Sequence, residues 1–191
     1  MGILRLRQTA WFIAIAAQLL LLPAVPALAD DEIRLLVDTD SRILSVLQEG
    51  REVDRFEDIA IGRFGTTWFK RRGDNQTPLG QFTIRRITTD TRYHLFMGLD
   101  FPDLEAATRA LEEGAISEDE WRAIRRALQA GKTPPQNTAL GGLIGIHGIG
   151  AGDPEIHTEF NWTNGCVALT NEQVDRLRRW VRIGTPVEIR W

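Results

Sequence analysis

The chain has 191 residues, a formal net charge of −3 at pH 7 and a single cysteine. Acidic and basic residues are mixed along it, which excludes the basic face of a nucleic-acid-binding protein and the polybasic arm of a membrane-surface protein. One cysteine cannot form an intramolecular disulfide, so it is a link between two chains, an inert buried residue or a reactive thiol.

The first 29 residues have the pattern of a secretory signal peptide. Arg5 and Arg7 precede an apolar stretch at 10–22, and Ala27-Leu28-Ala29 supplies the small residues of a cleavage site. A retained membrane anchor is the weaker alternative, because a spanning helix needs about 20 apolar residues. We expect cleavage after Ala29, export to the periplasm and a mature domain at 30–191.

The next segments have the pattern of β-strands. Residues 32–38 and 42–48 are apolar runs separated by Thr39-Asp40-Ser41, and the basic, turn-rich stretch at 70–87 ends in another strand. Phe82 and Ile84 alternate along that strand and share one face. Short β-rich runs broken by turn residues favour an antiparallel meander.

The middle of the chain, about 102–131, has helical periodicity. Gly114 can end a first helix. Ser117 and Glu120 form the capping box of a second helix, which Gly131 can end. Two helices within a β-rich chain indicate an insertion, either a lid beside the core or a plain structural pair.

Strand character returns at 141–148, and the cysteine, Cys166, stands at the start of another strand. A helix is predicted at about 171–182, with Thr170 and Gln173 as its capping box, and 185–191 forms a last strand. The cysteine therefore lies at an ordered turn, and a rigid position suits a catalytic group.

A cysteine acts as a nucleophile when a nearby base favours its thiolate. The histidines of the chain are His94, His147 and His157. His147 is the best placed, because it ends an apolar strand and precedes Gly148. Gly165 permits close backbone approach beside Cys166, where amide groups can face an oxyanion. From spacing alone, an inert buried cysteine remains the alternative.

No metal or cofactor is expected. His157 lies near Asp153 and Glu155, but these residues lack the spacing of a known metal motif and are interpreted as an ordinary polar loop. The glycine-rich stretch at 148–153 lacks the lysine and the following helix of a phosphate-binding loop.

Four segments, in order along the chain, resemble the YkuD-type L,D-transpeptidases, bacterial enzymes that cross-link peptidoglycan through a cysteine. They are "GDNQTPLGQFTI", "YHLFMGLDFP", "IHG" with the later "TNGCVALTN", and "GTPVEI". The residues that match the cysteine motif are His147, Gly148, Thr163, Gly165, Cys166, Val167, Leu169 and Asn171. The resemblance extends over roughly residues 33–189.

The residue patterns and the resemblance together predict a mainly β fold. Its core is expected to be an antiparallel sandwich or barrel, with the helical insertion at about 102–131 and one C-terminal helix. We expect a monomer.

The resemblance also implies a mechanism of acyl transfer. The Cys166 thiolate attacks the carbonyl of the third, L-centred residue of a peptidoglycan stem peptide, typically meso-diaminopimelate, and expels the terminal D-alanine. An amine of a neighbouring stem then attacks the thioester. His147 carries the protons, the Gly148 carbonyl orients it, and the Gly165 and Cys166 amides form the oxyanion hole.

Five further residues are expected to bind substrate: Tyr93, His94, Trp162, Thr163 and Asn164. For Tyr93 and His94 the alternative is structural hydrogen bonding. For Trp162 the alternative is covering the core.

Two positions depart from the family pattern. The family commonly has histidine where this chain has Asn164, and arginine where it has Ala168. An arginine fork is suited to a carboxylate. We therefore expect either that other basic groups replace it, with Lys70, Arg71, Arg72 and Arg85 as candidates, or that the substrate has less need of that contact. The alternative is that Ala168 points into the core.

Other outcomes of the same chemistry stay open. Water attacking the thioester would make the protein an L,D-carboxypeptidase, or an amidase if the group removed from the stem is a wall-attached protein. A non-catalytic wall-binding module is the third possibility, against which the presence of both His147 and Cys166 argues.

Overall fold

The computed structural model describes residues 33–191, so the predicted signal peptide at 1–29 lies outside the described residues. The strands are β1 (Arg34–Asp38), β2 (Ile43–Gln48), β3 (Arg51–Phe56), β4 (Thr66–Thr67), β5 (Thr77–Pro78), β6 (Gly80–Thr88), β7 (Phe96–Leu99), β8 (Gly145–Gly148), β9 (Val167–Leu169) and β10 (Pro186–Arg190). The helices are α1 (Leu104–Glu112), α2 (Glu118–Gln129), α3 (Pro154–Glu159) and α4 (Asn171–Arg178).

The main sheet has eight strands in the order β3-β2-β1-β10-β6-β7-β8-β9. Most neighbouring strands are antiparallel, as predicted, but β1 pairs with β10 and β8 pairs with β9 in parallel. A parallel pair needs a long crossover connection, and in both cases the chain supplies one. The predicted mainly β fold class is confirmed, and the sheet is mixed.

The two edges of the sheet are bridged, which makes it barrel-like. The chain leaving β3 passes beside β9, where Ala60 and Ala168 exchange backbone hydrogen bonds of 3.0 and 2.7 Å. Gly62 forms a second bridge with Thr163. Because Thr163 precedes the cysteine by three residues, this closure also holds the loop that carries it.

Apolar side chains that alternate along the strands point inward and form the core. Leu35 and Val37 of β1 are fully buried, and their cross-strand partners in β10, Val187 and Ile189, are buried with them. In β6, Phe82 and Ile84 are buried on one face as the pattern predicted. Burial of such side chains, at about 25 cal/mol per Å² of apolar surface, is the main source of stability.

The helical insertion is present at the predicted place. Ser117 and Glu120 form the predicted capping box of α2, and Ala107, Ala110 and Ile124 are fully buried in the core. The helices therefore pack as structural elements of the domain. Within 33–191, no helix is both long and apolar enough to cross a membrane.

Two helical predictions differ from the structure. The C-terminal helix, α4, has its predicted capping box at Thr170 and Gln173 but ends at Arg178. Helix α3 lies where the sequence predicts an ordinary polar loop. Its start has a sequence signal, because Asp153 caps it and Pro154 occupies its first turn, but six residues are too few to show periodicity.

Candidate active site

Two adjacent parallel strands bring the predicted pair together. His147 lies beside Ala168 in the register of β8 and β9, and Cys166 precedes Ala168 by two residues. Because side chains alternate along a strand, Cys166 and His147 face the same side of the sheet. Both line one cleft of about 670 Å³.

The cleft also contains most of the predicted substrate-binding residues. Those that line it are Tyr93, Trp162, Thr163 and Asn164. His94 lies outside it and bonds through Nε2 to Asp175 of α4 at 2.9 Å. His94 therefore makes a structural hydrogen bond, which is the alternative to substrate binding for this residue. Among the described lining residues, none belongs to α1 or α2, which gives the lid interpretation no support.

His147 is held as a neutral base. Its Nδ1 lies 2.7 Å from the Gly148 carbonyl oxygen, so Nδ1 carries the proton and Nε2 keeps its lone pair. The Tyr93 ring stacks on the imidazole with centroids 4.2 Å apart, and Trp162 meets it edge-on at 5.9 Å. Burial lowers the pKa of His147 to about 4 against the opposing hydrogen bond to Gly148, and His157 and Arg92 add smaller effects in the same direction as burial.

Cys166 is half-buried and protonated at neutral pH. Its Sγ donates to the Leu143 carbonyl oxygen at 3.3 Å. Burial raises the pKa of the Cys166 thiol to about 11, against a backbone hydrogen bond from Gly145 and the positive charge of Lys70. The resting site is therefore a neutral thiol with a neutral imidazole, and the thiolate has to form by proton transfer.

Thr163 organises the turn that leads to the cysteine. Its Oγ1 donates to the Cys166 carbonyl oxygen at 2.7 Å and accepts from the Gly165 amide at 3.1 Å. The Gly165 N–H, predicted for the oxyanion hole, is thus already bonded. Of the two amides predicted to donate hydrogen bonds to an oxyanion, the Cys166 amide is therefore the better candidate.

Gly165 is required by close backbone approach. Its φ is +128°, and a Cβ at this position would lie 2.6 Å from the Gln76 carbonyl oxygen and 3.2 Å from side-chain atoms of Ile144 and Lys70. The glycine therefore lets the cysteine loop pack against the segment before β5.

We expect Gly165→Ala to destabilise the domain more than Gly73→Ala, a matched control. Gly73 also has positive φ, +82°, but nothing lies within 4 Å of its added Cβ, so that variant should cost only the left-handed backbone strain of about 1–2 kcal/mol. Gly165→Ala should cost about 1–3 kcal/mol more through overpacking. Urea unfolding measures both, and equal losses would contradict the packing role.

The basic groups predicted to replace the family arginine are engaged elsewhere. Lys70 is buried and bonds to Asp74, Arg71 pairs with Glu113, Arg72 donates to the Thr138 carbonyl and Arg85 pairs with Asp100. None of the four is among the described residues that line the cleft.

Ala168 itself is fully buried and its backbone is bridged to Ala60. Its neighbours Val167 and Leu169 belong to the hydrophobic core, whereas Ala168 pairs with His147 and shares its side of the sheet, so the core alternative has no support.

Sequence reasoning missed two groups in the site. The Leu143 carbonyl holds the thiol, and the Leu143 amide is fixed by the Gln136 side chain at 2.6 Å. Arg63, Arg86 and Arg92 line the cleft. Their positions along the chain carried no signal, because each is brought there by tertiary packing.

The fold and the cleft together define a cysteine–histidine site in a curled mixed β-sheet. The family model for the YkuD L,D-transpeptidase catalytic domain matches residues 32–189, and the chain belongs to this family. No curated protein matched the sequence.

Solved structures with a similar fold include two bacterial proteins. The helical cell shape determining protein Pgp2 from Campylobacter jejuni is 21% identical with a TM-score of 0.55, covering 83% of this chain and 47% of that chain. Bd1075 from Bdellovibrio bacteriovorus is 19% identical with a TM-score of 0.53, covering 84% and 48%. The present chain thus spans about half the length of these neighbours, and at such identities the likeness shows the fold alone.

Proposed function

We propose that the protein is a peptidoglycan L,D-transpeptidase with Cys166 as nucleophile and His147 as general base. The observation that carries the proposal is a neutral imidazole, oriented by the Gly148 carbonyl, in the same cleft as the single thiol. Membership of the L,D-transpeptidase family supports the choice of stem peptides as substrate.

The first half-reaction forms a thioester. Nε2 of His147 takes the thiol proton as Sγ of Cys166 attacks the carbonyl carbon of the third stem residue. The oxyanion of the tetrahedral intermediate faces the Cys166 amide. Collapse of the intermediate breaks the bond to D-alanine, and His147 returns the proton to the departing amine.

The second half-reaction releases the acyl group. An amine of a neighbouring stem attacks the thioester carbonyl and gives its proton to His147. The carbon–sulfur bond then breaks, and the sulfur regains the proton. Water in place of the amine would give a shortened stem, as in an L,D-carboxypeptidase, and a wall-attached protein as substrate would give amidase activity.

Incubation of the protein with muropeptides, followed by mass spectrometry, tests the proposal. A transpeptidase gives a cross-linked dimer with loss of D-alanine. A shortened monomer would identify the hydrolase, and unchanged muropeptides would leave the wall-binding module as the better proposal.

Export to the periplasm is part of the same proposal, because peptidoglycan lies outside the cytoplasmic membrane. The pattern of residues 1–29 supports it. Cell fractionation and N-terminal sequencing would test it, with the mature chain expected to begin at Asp30.

The rate should be independent of pH across the neutral range. General-base attack needs His147 neutral and the thiol protonated, so kcat/KM should fall only below about pH 4 and above about pH 11, following the two pKa values. A stopped assay over the accessible range measures this. An acid limb near pH 6–7 would instead show a histidine with an ordinary pKa.

A further inference from the structure

The cleft has a charge opposite to that of the chain as a whole. Arg63, Arg86 and Arg92 line it together with one acidic residue, Asp90, an excess of two positive side chains, while the chain carries −3. His147 adds no charge at neutral pH because its pKa is about 4. A concave positive surface on an acidic protein concentrates anionic ligands.

Arg63 stands beside the nucleophile loop. Its backbone amide bonds to the Thr163 carbonyl at 3.0 Å, and its Nη2 donates to Asn164 Oδ1 at 2.6 Å and to the Trp162 carbonyl at 3.4 Å. These acceptors are neutral, so the guanidinium is oriented without being neutralised. Its bonds use only Nη2, and a guanidinium has five N–H donors.

Arg92 is connected to His147 through Tyr93. Its guanidinium is 4.9 Å from the centre of the Tyr93 ring, and Nη2 donates to the Tyr93 hydroxyl at 2.7 Å. Tyr93 in turn stacks on His147. The arginine is exposed, and within 33–191 it has no carboxylate partner.

Arg86 is exposed on β6, opposite Gly98 of β7. In the part of the chain that the structure describes, no side chain forms a hydrogen bond or ion pair with it. Solvated arginines usually gain little from surface ion pairs. Within 33–191, none of these three guanidinium groups around one cleft has a carboxylate partner, so they are available to a ligand that brings its own negative charge.

We propose that Arg63, Arg86 and Arg92 form a carboxylate-binding rim that recognises the free carboxylates of an anionic peptide entering the cleft. The inference rests on the proposed function, which makes this peptide a stem peptide. It also accounts for Ala168, since the charged contact that an arginine would make there is supplied by residues from three other segments. Planar guanidinium groups bind carboxylates in a bidentate geometry.

Binding to the Cys166→Ser protein tests the rim without requiring turnover. Calorimetry with two matched tetrapeptide stems, one with free and one with amidated carboxylates, should show tighter binding of the free form. Arg63→Gln, Arg86→Gln and Arg92→Gln, each in this background, should weaken binding of the free stem by about 10-fold or more and leave the amidated stem unchanged. Arg63→Lys should recover part of the loss.

Arg182→Gln is the matched control, because Arg182 is exposed and is not among the described cleft residues; it should change neither affinity. Equal affinity of the two stems, or equal weakening of both by the arginine variants, would overturn the rim. If muropeptides are not turned over but the free stem is still preferred, the proposed function fails and the rim stands. If muropeptides are turned over but the free and amidated stems bind equally, the rim fails and the proposed function stands.

Discussion

Cys166→Ser is expected to lower turnover of stem peptides by on the order of 10³-fold or more. A serine hydroxyl is far less acidic than the thiol, and an imidazole with a pKa of about 4 is too weak a base to compensate. The hydroxyl fits the same space and can still donate to the Leu143 carbonyl, so the fold should be retained. Single-turnover kinetics and thermal unfolding measure the two effects.

A carbapenem gives an independent readout of the same thiol. Its strained β-lactam carbonyl is an acyl donor, so the wild-type protein should gain the mass of one carbapenem and the Cys166→Ser variant should gain none. The Arg182→Gln protein, with its intact site, should be labelled like the wild type. An adduct on the serine variant would place the nucleophile elsewhere.

His147→Asn is expected to lower turnover by about 10²–10⁴-fold, the usual contribution of a general base. The asparagine amide can still donate to the Gly148 carbonyl, but it offers no base where Nε2 stood. Loss of the base with retention of the thiol should leave Cys166 open to slow alkylation. A variant with near-normal turnover would exclude His147 as the base.

The same variant should also change the acid stability of the domain. Burial lowers the pKa of His147 from 6.5 to about 4. Between pH 6.5 and about pH 4 this histidine is therefore protonated in the unfolded chain but stays neutral in the folded domain. Stability is unaffected by this group above pH 6.5 and falls as the pH drops, by about 2 kcal/mol at pH 5.

Denaturant unfolding at pH 7 and pH 5 isolates this contribution. The wild type should lose more stability between the two values than His147→Asn, although the buried His157, whose pKa burial also lowers, acts in the same direction in both proteins. Identical losses would show that His147 is as easily protonated in the folded domain as in the unfolded chain.

The elements with strong local patterns were predictable from the sequence. Both capping boxes, at Ser117 and Thr170, are where the pattern placed them, since a cap needs only four consecutive residues. Helix α3 was missed because a single turn and a half cannot reveal a period. The parallel pairing of β1 with β10 could not be predicted, because the residues of a strand do not specify which distant strand it will pair with.

The part of the site that lies in recognisable sequence motifs was predictable. The cysteine motif led to Cys166 and His147, which the structure places in one cleft. His94 stood next to Tyr93 in the sequence, yet only Tyr93 faces the cleft, because His94 adopts φ +68° and bonds to a residue 81 positions away. The cleft arginines come from separate segments, and only the folded sheet brings them together.

The position of β10 determines when the sheet can be completed. It lies between β1 and β6, so it joins the β1–β3 half of the sheet to the half that carries the cysteine and histidine, although it follows all the other strands in the chain. Contacts between residues some 150 positions apart raise the contact order, which slows folding. A ribosome must therefore have synthesised Val187 and Ile189 before either half gains its central neighbour, and until then the chain remains incompletely folded.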